Sequence, residues 1–257
     1  MPQVFPTNKV KALHREGKPA IGAFCPIHSA QIIEIMGYAG LDFVIIDTEH
    51  GPAGVETVEH LCRAAELGGM MPFVRVTNNT DPTIILRALD AGAMGVQIPM
   101  IESGEQAARV ARGARYNPLG TRGLAGTRAT RYGSIPLAEY VKAANEEVAV
   151  IVQIETVKGV ENATEIAKAP GVDIVFIGPV DLSLALGIPG QVGSPLHTEY
   201  MDKAINAVIA AGKPVGSLTF STEHGQEQIA RGMQYLCINA VPVYAHCRNM
   251  LQQLGRA

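Results

Sequence analysis

Several things are scarce in this 257-residue sequence, and each scarcity excludes a class of protein. No apolar run approaches the length needed to cross a bilayer, so no membrane association is expected. There is no excess of basic residues: the formal net charge is −3, which gives no positive field for nucleic acid. Cysteine is sparse and unpatterned. Cys25, Cys62, Cys237 and Cys247 form no CxxC pair and no zinc spacing. They read as free thiols in a reducing cytoplasm, which is the expected location. The opening Met1-Pro2-Gln3-Val4-Phe5 lacks the basic-then-apolar pattern of a secretory leader. Tryptophan is missing, but the composition is otherwise that of an ordinary globular protein, 47% hydrophobic and 18% charged. The length suits one (β/α)8 barrel with a large core, and would also permit two small domains.

The pattern along the chain favours the single barrel. Short β-branched runs at residues 20–24, 42–47, 71–76, 94–98, 148–154, 173–177, 214–217 and 234–238 alternate with helix-like stretches at 30–39, 55–67, 82–91, 104–111, 159–168, 198–211, 222–231 and 243–254. Most strand cores are continuously apolar, as expected of parallel strands covered on both faces. Glycine follows several helices (Gly40, Gly68, Gly92, Gly171, Gly212, Gly232), where a C-terminal cap takes a left-handed residue. Eight β/α units over residues 1–257 predict one closed α/β (TIM) barrel, with a doubly wound open sheet as the alternative.

In such a barrel the chemistry sits where the strands end. The second strand ends in Asp47-Thr48-Glu49-His50-Gly51, the third in Val74-Arg75-Val76 and the fourth in Gln97-Ile98-Pro99. The fifth ends in Gln153 and Glu155, and the sixth in Gly178-Pro179-Val180-Asp181. Glu155 and Asp181 put two hard oxygen ligands on neighbouring strand ends, an arrangement suited to a divalent cation with open positions for substrate. Their other reading is as helix N-terminal acids favoured by the dipole; Gly178 speaks against it, since glycine at a strand end lets a ligand approach the backbone. His50 is the natural proton-transfer group, with Asp47 or Glu49 placed to orient its ring. Arg75 is suited to hold a carboxylate or oxyanion, or to pair with Glu155 or Asp47.

Two further features bear on function. No lysine stands at the end of the sixth or seventh strand, and Lys158 is the only one close behind a strand end on the catalytic side. An imine mechanism needs a desolvated lysine inside the barrel, so a metal is the expected electron sink. Residues 112–137 form a long connection carrying Arg115, Arg122, Arg128 and Arg131. These arginines either pin a loop or subunit contact, or form a carboxylate-binding lid.

Five segments together resemble the class II, metal-dependent pyruvate aldolases, a family that includes 4-hydroxy-2-oxoheptane-1,7-dioate aldolase and 2-dehydro-3-deoxyglucarate aldolase. They are Phe43-Val44-Ile45-Ile46-Asp47-Thr48-Glu49-His50-Gly51-Pro52, Pro72-Phe73-Val74-Arg75-Val76, Leu89-Asp90-Ala91-Gly92-Ala93, Val152-Gln153-Ile154-Glu155-Thr156 and Phe176-Ile177-Gly178-Pro179-Val180-Asp181-Leu182-Ser183. The resemblance runs from about Asn8 to Leu254 and is weakest over residues 112–137. It implies a barrel of the phosphoenolpyruvate/pyruvate type that reversibly cleaves 4-hydroxy-2-oxo acids to pyruvate, or hydroxypyruvate, and an aldehyde. The implied cofactor is Mg, Mn or Co held by Glu155 and Asp181, which stabilises the enolate. Arg75 would stabilise the enolate oxygen, His50 would act as acid and base, Asp47 would belong to the catalytic set, and Asp90 would support the basicity of His50. Gln153, Gly178, Pro179 and Val180 would contact the pyruvate portion. The resemblance also implies a homo-oligomer, of hexameric size. Asp90 ends a helix, on the rim opposite its own His50, so a shared site between subunits is expected; the alternative is a solvated surface acid. Other readings of the same residues are a lyase of the related phosphoenolpyruvate or acyl-CoA ester barrels, an imine-forming aldolase, and a non-catalytic 2-oxo-acid-binding protein.

Overall fold

The computed structural model describes residues 5–239 and 242–255, with the side chains of 240–245 outside the description. Residues 1–4, on which most of the leader expectation rests, lie outside the described residues. Eight parallel strands close into a barrel in sequence order: β1 (Ala20–Cys25), β2 (Phe43–Asp47), β3 (Met71–Arg75), β4 (Gly95–Ile98), β5 (Ala149–Ile154), β6 (Ile174–Ile177), β7 (Val215–Thr219) and β8 (Tyr235–Asn239). β8 pairs with β1, so no edge is left open and the open-sheet alternative is excluded. The strands are buried along nearly their whole length, which accounts for their unbroken apolar runs. Phe43 stacks on Tyr235 with ring centroids 4.3 Å apart, and Phe73 adds to this aromatic floor at 5.6 Å from Phe43.

The helices are α1 (Lys9–Arg15), α2 (Ala30–Tyr38), α3 (Val55–Leu67), α4 (Pro82–Asp90), α5 (Gly104–Gly113), α6 (Leu137–Glu147), α7 (Val157–Glu161), α8 (Ala163–Lys168), α9 (Pro179–Ala185), α10 (Pro195–Ala210), α11 (Thr222–Ala230) and α12 (Pro242–Gln253). Five depart from the sequence reading. α1, capped by Asn8, and α6 were not anticipated. The helix expected at 159–168 is two short ones, broken at Asn162, and α9 grows directly out of the sixth strand end. Pro179 at the first turn of α9 explains the last: its missing N–H costs nothing there. Of the expected glycine caps, Gly68 keeps a right-handed conformation and Gly69 takes the left-handed one (φ 76°). Among the described residues no helix is long and apolar enough to cross a membrane.

The arginine-rich connection is an ordered structure with a 3-10 segment, Arg128–Gly133. Arg115 pairs with Asp173, Arg122 with Asp90 and Arg128 with Glu66, at 2.7, 2.8 and 2.6 Å. All three acids lie towards the rim where strands begin. The arginines therefore pin the loop beneath its own barrel, and within one chain the loop is not a lid over the strand ends.

Candidate active site

Parallel register places the site residues level with one another. Asp47 of β2 stands opposite Arg75 of β3, and Arg75 opposite Gln97 of β4. Side chains continue the line around the mouth. Gln97 donates from Nε2 to Gln153 Oε1 (2.5 Å), and Gln153 donates from Nε2 to Glu155 Oε2. The second Glu155 oxygen accepts the Met100 amide at 2.8 Å. One polar belt thus runs from β2 to the end of β5, over an apolar core.

Arg75 is buried and doubly held. Nε and Nη2 donate to the two Asp47 oxygens at 2.9 and 2.6 Å, and Nη1 lies 3.2 Å from Glu49 Oε2. Its guanidinium also sits 4.8 Å from the centroid of the Phe24 ring. Of the pairings expected for Arg75, the one with Asp47 forms and Glu49 takes the place of Glu155. Burial opposes ionisation of Asp47, but the Arg75 hydrogen bonds and charge outweigh it and hold the carboxyl below its ordinary value. Burial pushes the Glu49 carboxyl up, against the attraction of Arg75.

His50 follows on the exposed loop after β2, its side chain 62% accessible. Neither neighbouring acid holds its ring. Asp47 accepts only the His50 backbone amide, at 3.4 Å, and Glu49 Oε2 lies 4.0 Å from Nε2. Asp47 is committed to Arg75, so the expectation that it orients the imidazole does not hold within this chain.

Glu155 is 2% exposed. Burial raises its carboxyl to about 7, and the negative charges of Asp181 and Glu49 add to the shift. Gly178 makes the packing possible: a Cβ there would lie 2.8 Å from Glu155 Oε2 and 3.3 Å from Gln153 Nε2. The glycine at this strand end therefore serves the approach of a carboxylate. Asp181 is in the first turn of α9 and also lines the mouth, so its dipole-favoured position and its place in the site coexist. Among the described residues no cluster of three or more His, Cys, Asp or Glu side chains forms a complete metal cage. Glu155 and Asp181 suit instead a cation whose other positions are filled by substrate and water. The repulsion that Asp181 adds to the buried Glu155 carboxylate is what such a cation would relieve.

A cavity of about 260 Å³ opens here, lined by Phe24, Asp47, His50, Arg75, Gln153, Gly178, Pro179, Val180 and Asp181 among others. It gathers the predicted residues except Glu155, which lies just beneath, and Asp90. Asp90 ends α4 at the opposite rim and is bound to Arg122, whose side chain is 1% exposed. It is not a solvated surface acid. Sequence reasoning assigned no role to Gln97, Glu49's contact with Arg75, the Met100 amide or Phe24. Gln97 alone left a signal, as a polar residue inside an apolar strand.

A closed parallel barrel with a buried arginine, an exposed histidine and paired carboxylates at the strand ends describes a lyase working through stabilised negative charge. The profile of the HpcH/HpaI aldolase/citrate lyase family matches residues 20–238, and the chain belongs to that family. It is an aldolase, a carbon–carbon lyase. It is 37% identical to the pyruvate aldolase of Rhizobium etli, over 91% of each chain. It is 35% identical to the hydroxypyruvate/pyruvate aldolase of Delftia acidovorans, over 98% of this chain and 93% of that one. A crystal structure of a family member from Burkholderia cenocepacia superposes with a TM-score of 0.90 at 33% identity, covering 96% of this chain and 99% of the other.

Proposed function

We propose that the protein reversibly cleaves 4-hydroxy-2-oxo acids to pyruvate, or hydroxypyruvate, and an aldehyde, using Mg, Mn or Co held by Glu155 and Asp181. The observation that carries this reading is the polar belt from Asp47 through Arg75, Gln97 and Gln153 to Glu155, with Asp181 beside it. The names of the relatives, which specify pyruvate and hydroxypyruvate, support the same donor. When bound, a divalent cation supplies Lewis-acid stabilisation of the charge that develops on the substrate's keto oxygen. Arg75 adds a fixed positive charge there, and its salt bridges with Asp47 and Glu49 keep the guanidinium aimed without reorganisation. Gln153 and the Gly178-Pro179-Val180 segment position the 2-oxo acid. His50 takes the proton of the C4 hydroxyl as the carbon–carbon bond breaks, and returns a proton to the methyl carbon of pyruvate.

The assembly belongs to the same proposal. The working form is a homo-oligomer, a hexamer by resemblance, in which Asp90 of one chain supports His50 of another. The separation of these residues on opposite rims supports it, as does Arg122, whose Nε is buried beside Asp90 with no hydrogen-bond partner among the described residues. Unpaired thiols at Cys25, Cys62, Cys237 and Cys247 suit a reducing cytoplasm.

The test is metal dependence. Excess chelator should abolish cleavage of a 4-hydroxy-2-oxo acid, and Mg, Mn or Co should restore it. Glu155→Ala and Asp181→Ala should each lose cation binding by calorimetry. Full activity in excess chelator would sink the reading.

A further inference from the structure

The wall of the cavity away from Glu155 and Asp181 is built by β7, β8 and β1. It presents Leu218, Phe24 and Pro26, all uncharged, and one polar side chain, Asn239. Asn239 ends β8 in register with Phe24 and stands exposed at the mouth. Across the cavity, Arg75 is the one lysine or arginine among its lining residues, and both of its faces are taken by Asp47 and Glu49. In the proposed chemistry Asp181, which also lines the cavity, is committed with Glu155 to the cation.

We infer that Asn239 selects the aldehyde: the acceptor is a neutral hydroxyaldehyde whose hydroxyl meets the Asn239 carboxamide, not an anionic semialdehyde. This rests on the proposed aldol chemistry. The 2-oxo acid occupies the side of Arg75, Gln153 and the paired carboxylates, which leaves the β7–β8–β1 wall for the aldehyde carbons. A carboxamide both donates and accepts, so it satisfies a hydroxyl in either sense. A second carboxylate on the acceptor would be desolvated against a wall that holds no lysine or arginine among the described residues. An apolar isostere would leave the Asn239 carboxamide unpaired once the aldehyde covers it.

The experiment measures kcat/KM for addition of pyruvate to glycolaldehyde, to its isostere propanal, and to succinic semialdehyde, with Mn present. Glycolaldehyde should lead each of the others by about tenfold, the scale of one hydrogen bond to an uncharged group. Asn239→Leu should bring the glycolaldehyde-to-propanal ratio close to one. Asn239→Asp should keep that ratio and depress succinic semialdehyde further. Preference for succinic semialdehyde, equal use of glycolaldehyde and propanal by the unsubstituted protein, or an unchanged ratio in Asn239→Leu would overturn the inference. Deuterium exchange into the pyruvate methyl group by the unsubstituted protein, with no aldehyde present, separates the two levels. Exchange with a flat acceptor profile defeats only the role of Asn239; no exchange defeats the proposed chemistry itself.

Discussion

Arg75 and Glu155 show how much of the chemistry is set by single residues. The guanidinium of Arg75 is fixed by a two-pronged salt bridge to Asp47 and a contact to Glu49, and all three depend on its planar fork. An ammonium in the same place can reproduce one of these bonds at best. Arg75→Lys should therefore lower kcat by about 10²–10³, the usual effect of losing one oxyanion donor. Near-normal turnover in a steady-state assay would show that the arginine only holds the fold. Glu155 carries a pH signature. Its carboxyl is raised from 4.5 to about 7, so without a cation the native state keeps a proton that the unfolded chain releases. The stability from this group is fully present below about pH 4.5 and is lost as pH rises through about 7. The raised Glu49 carboxyl contributes in the same sense. In chelator the melting temperature should therefore fall between pH 5 and pH 8, and Glu155→Gln should flatten that slope. Cation binding needs the carboxylate, so at pH 6 it should release a proton, visible as a buffer-dependent heat in calorimetry.

At the scale of elements, the junction of β6 with α9 is the critical piece. β6 ends at Ile177, Gly178 turns the chain, and Pro179 starts the helix that carries Asp181. Gly178 has no Cβ to push against Glu155, and Pro179 also accepts a hydrogen bond from buried His197 at its carbonyl (2.8 Å). The turn is thereby held from outside while its inner face receives the carboxylate. Gly178→Ala would place a methyl group 2.8 Å from Glu155 Oε2. It should weaken cation binding by about 10–100-fold, as changes just outside a metal's ligand set do. An unchanged affinity by calorimetry, with an unchanged melting temperature, would show that Glu155 has room to move.

For the whole molecule, the decisive pair is Asp90 and His50. The barrel puts strand ends on one rim and helix ends on the other, so one chain cannot bring the two together. The proposed shared site predicts complementation. His50→Ala and Asp90→Asn should each be nearly inactive alone. Dissociated and reassembled together, they should form some interfaces with an intact His50 facing an intact Asp90, and recover part of the activity. No recovery in hetero-oligomers verified by mass, or a fully active monomer, would rule the shared site out.

By itself the sequence determined the barrel and most of the strand-end residues, because both follow from local rules. Continuous apolar runs mark strands buried on both faces, and a polar residue closing such a run must lie at a rim. His50, Arg75, Gln153, Glu155 and Asp181 were legible in that way. Helix boundaries were less so: α9 hides behind a Gly-Pro turn, and α1 and α6 fall outside the alternation of one helix per strand, α1 ahead of β1 and α6 as a second helix between β4 and β5. Partners were decided only by tertiary structure. That Asp47 serves Arg75 and leaves the His50 ring alone depends on the β2–β3 register. That Gln153 links Gln97 to Glu155 depends on β4 and β5 standing side by side. The arginine loop is the clearest case. Its four arginines suit a lid or a pin equally well, and only the acids brought beneath the barrel from distant positions, Glu66, Asp90 and Asp173, decide for the pin at three of them, Arg128, Arg122 and Arg115. Hydrogen bonds and ion pairs join residues far apart along the chain, and their geometry exists only once the barrel has closed.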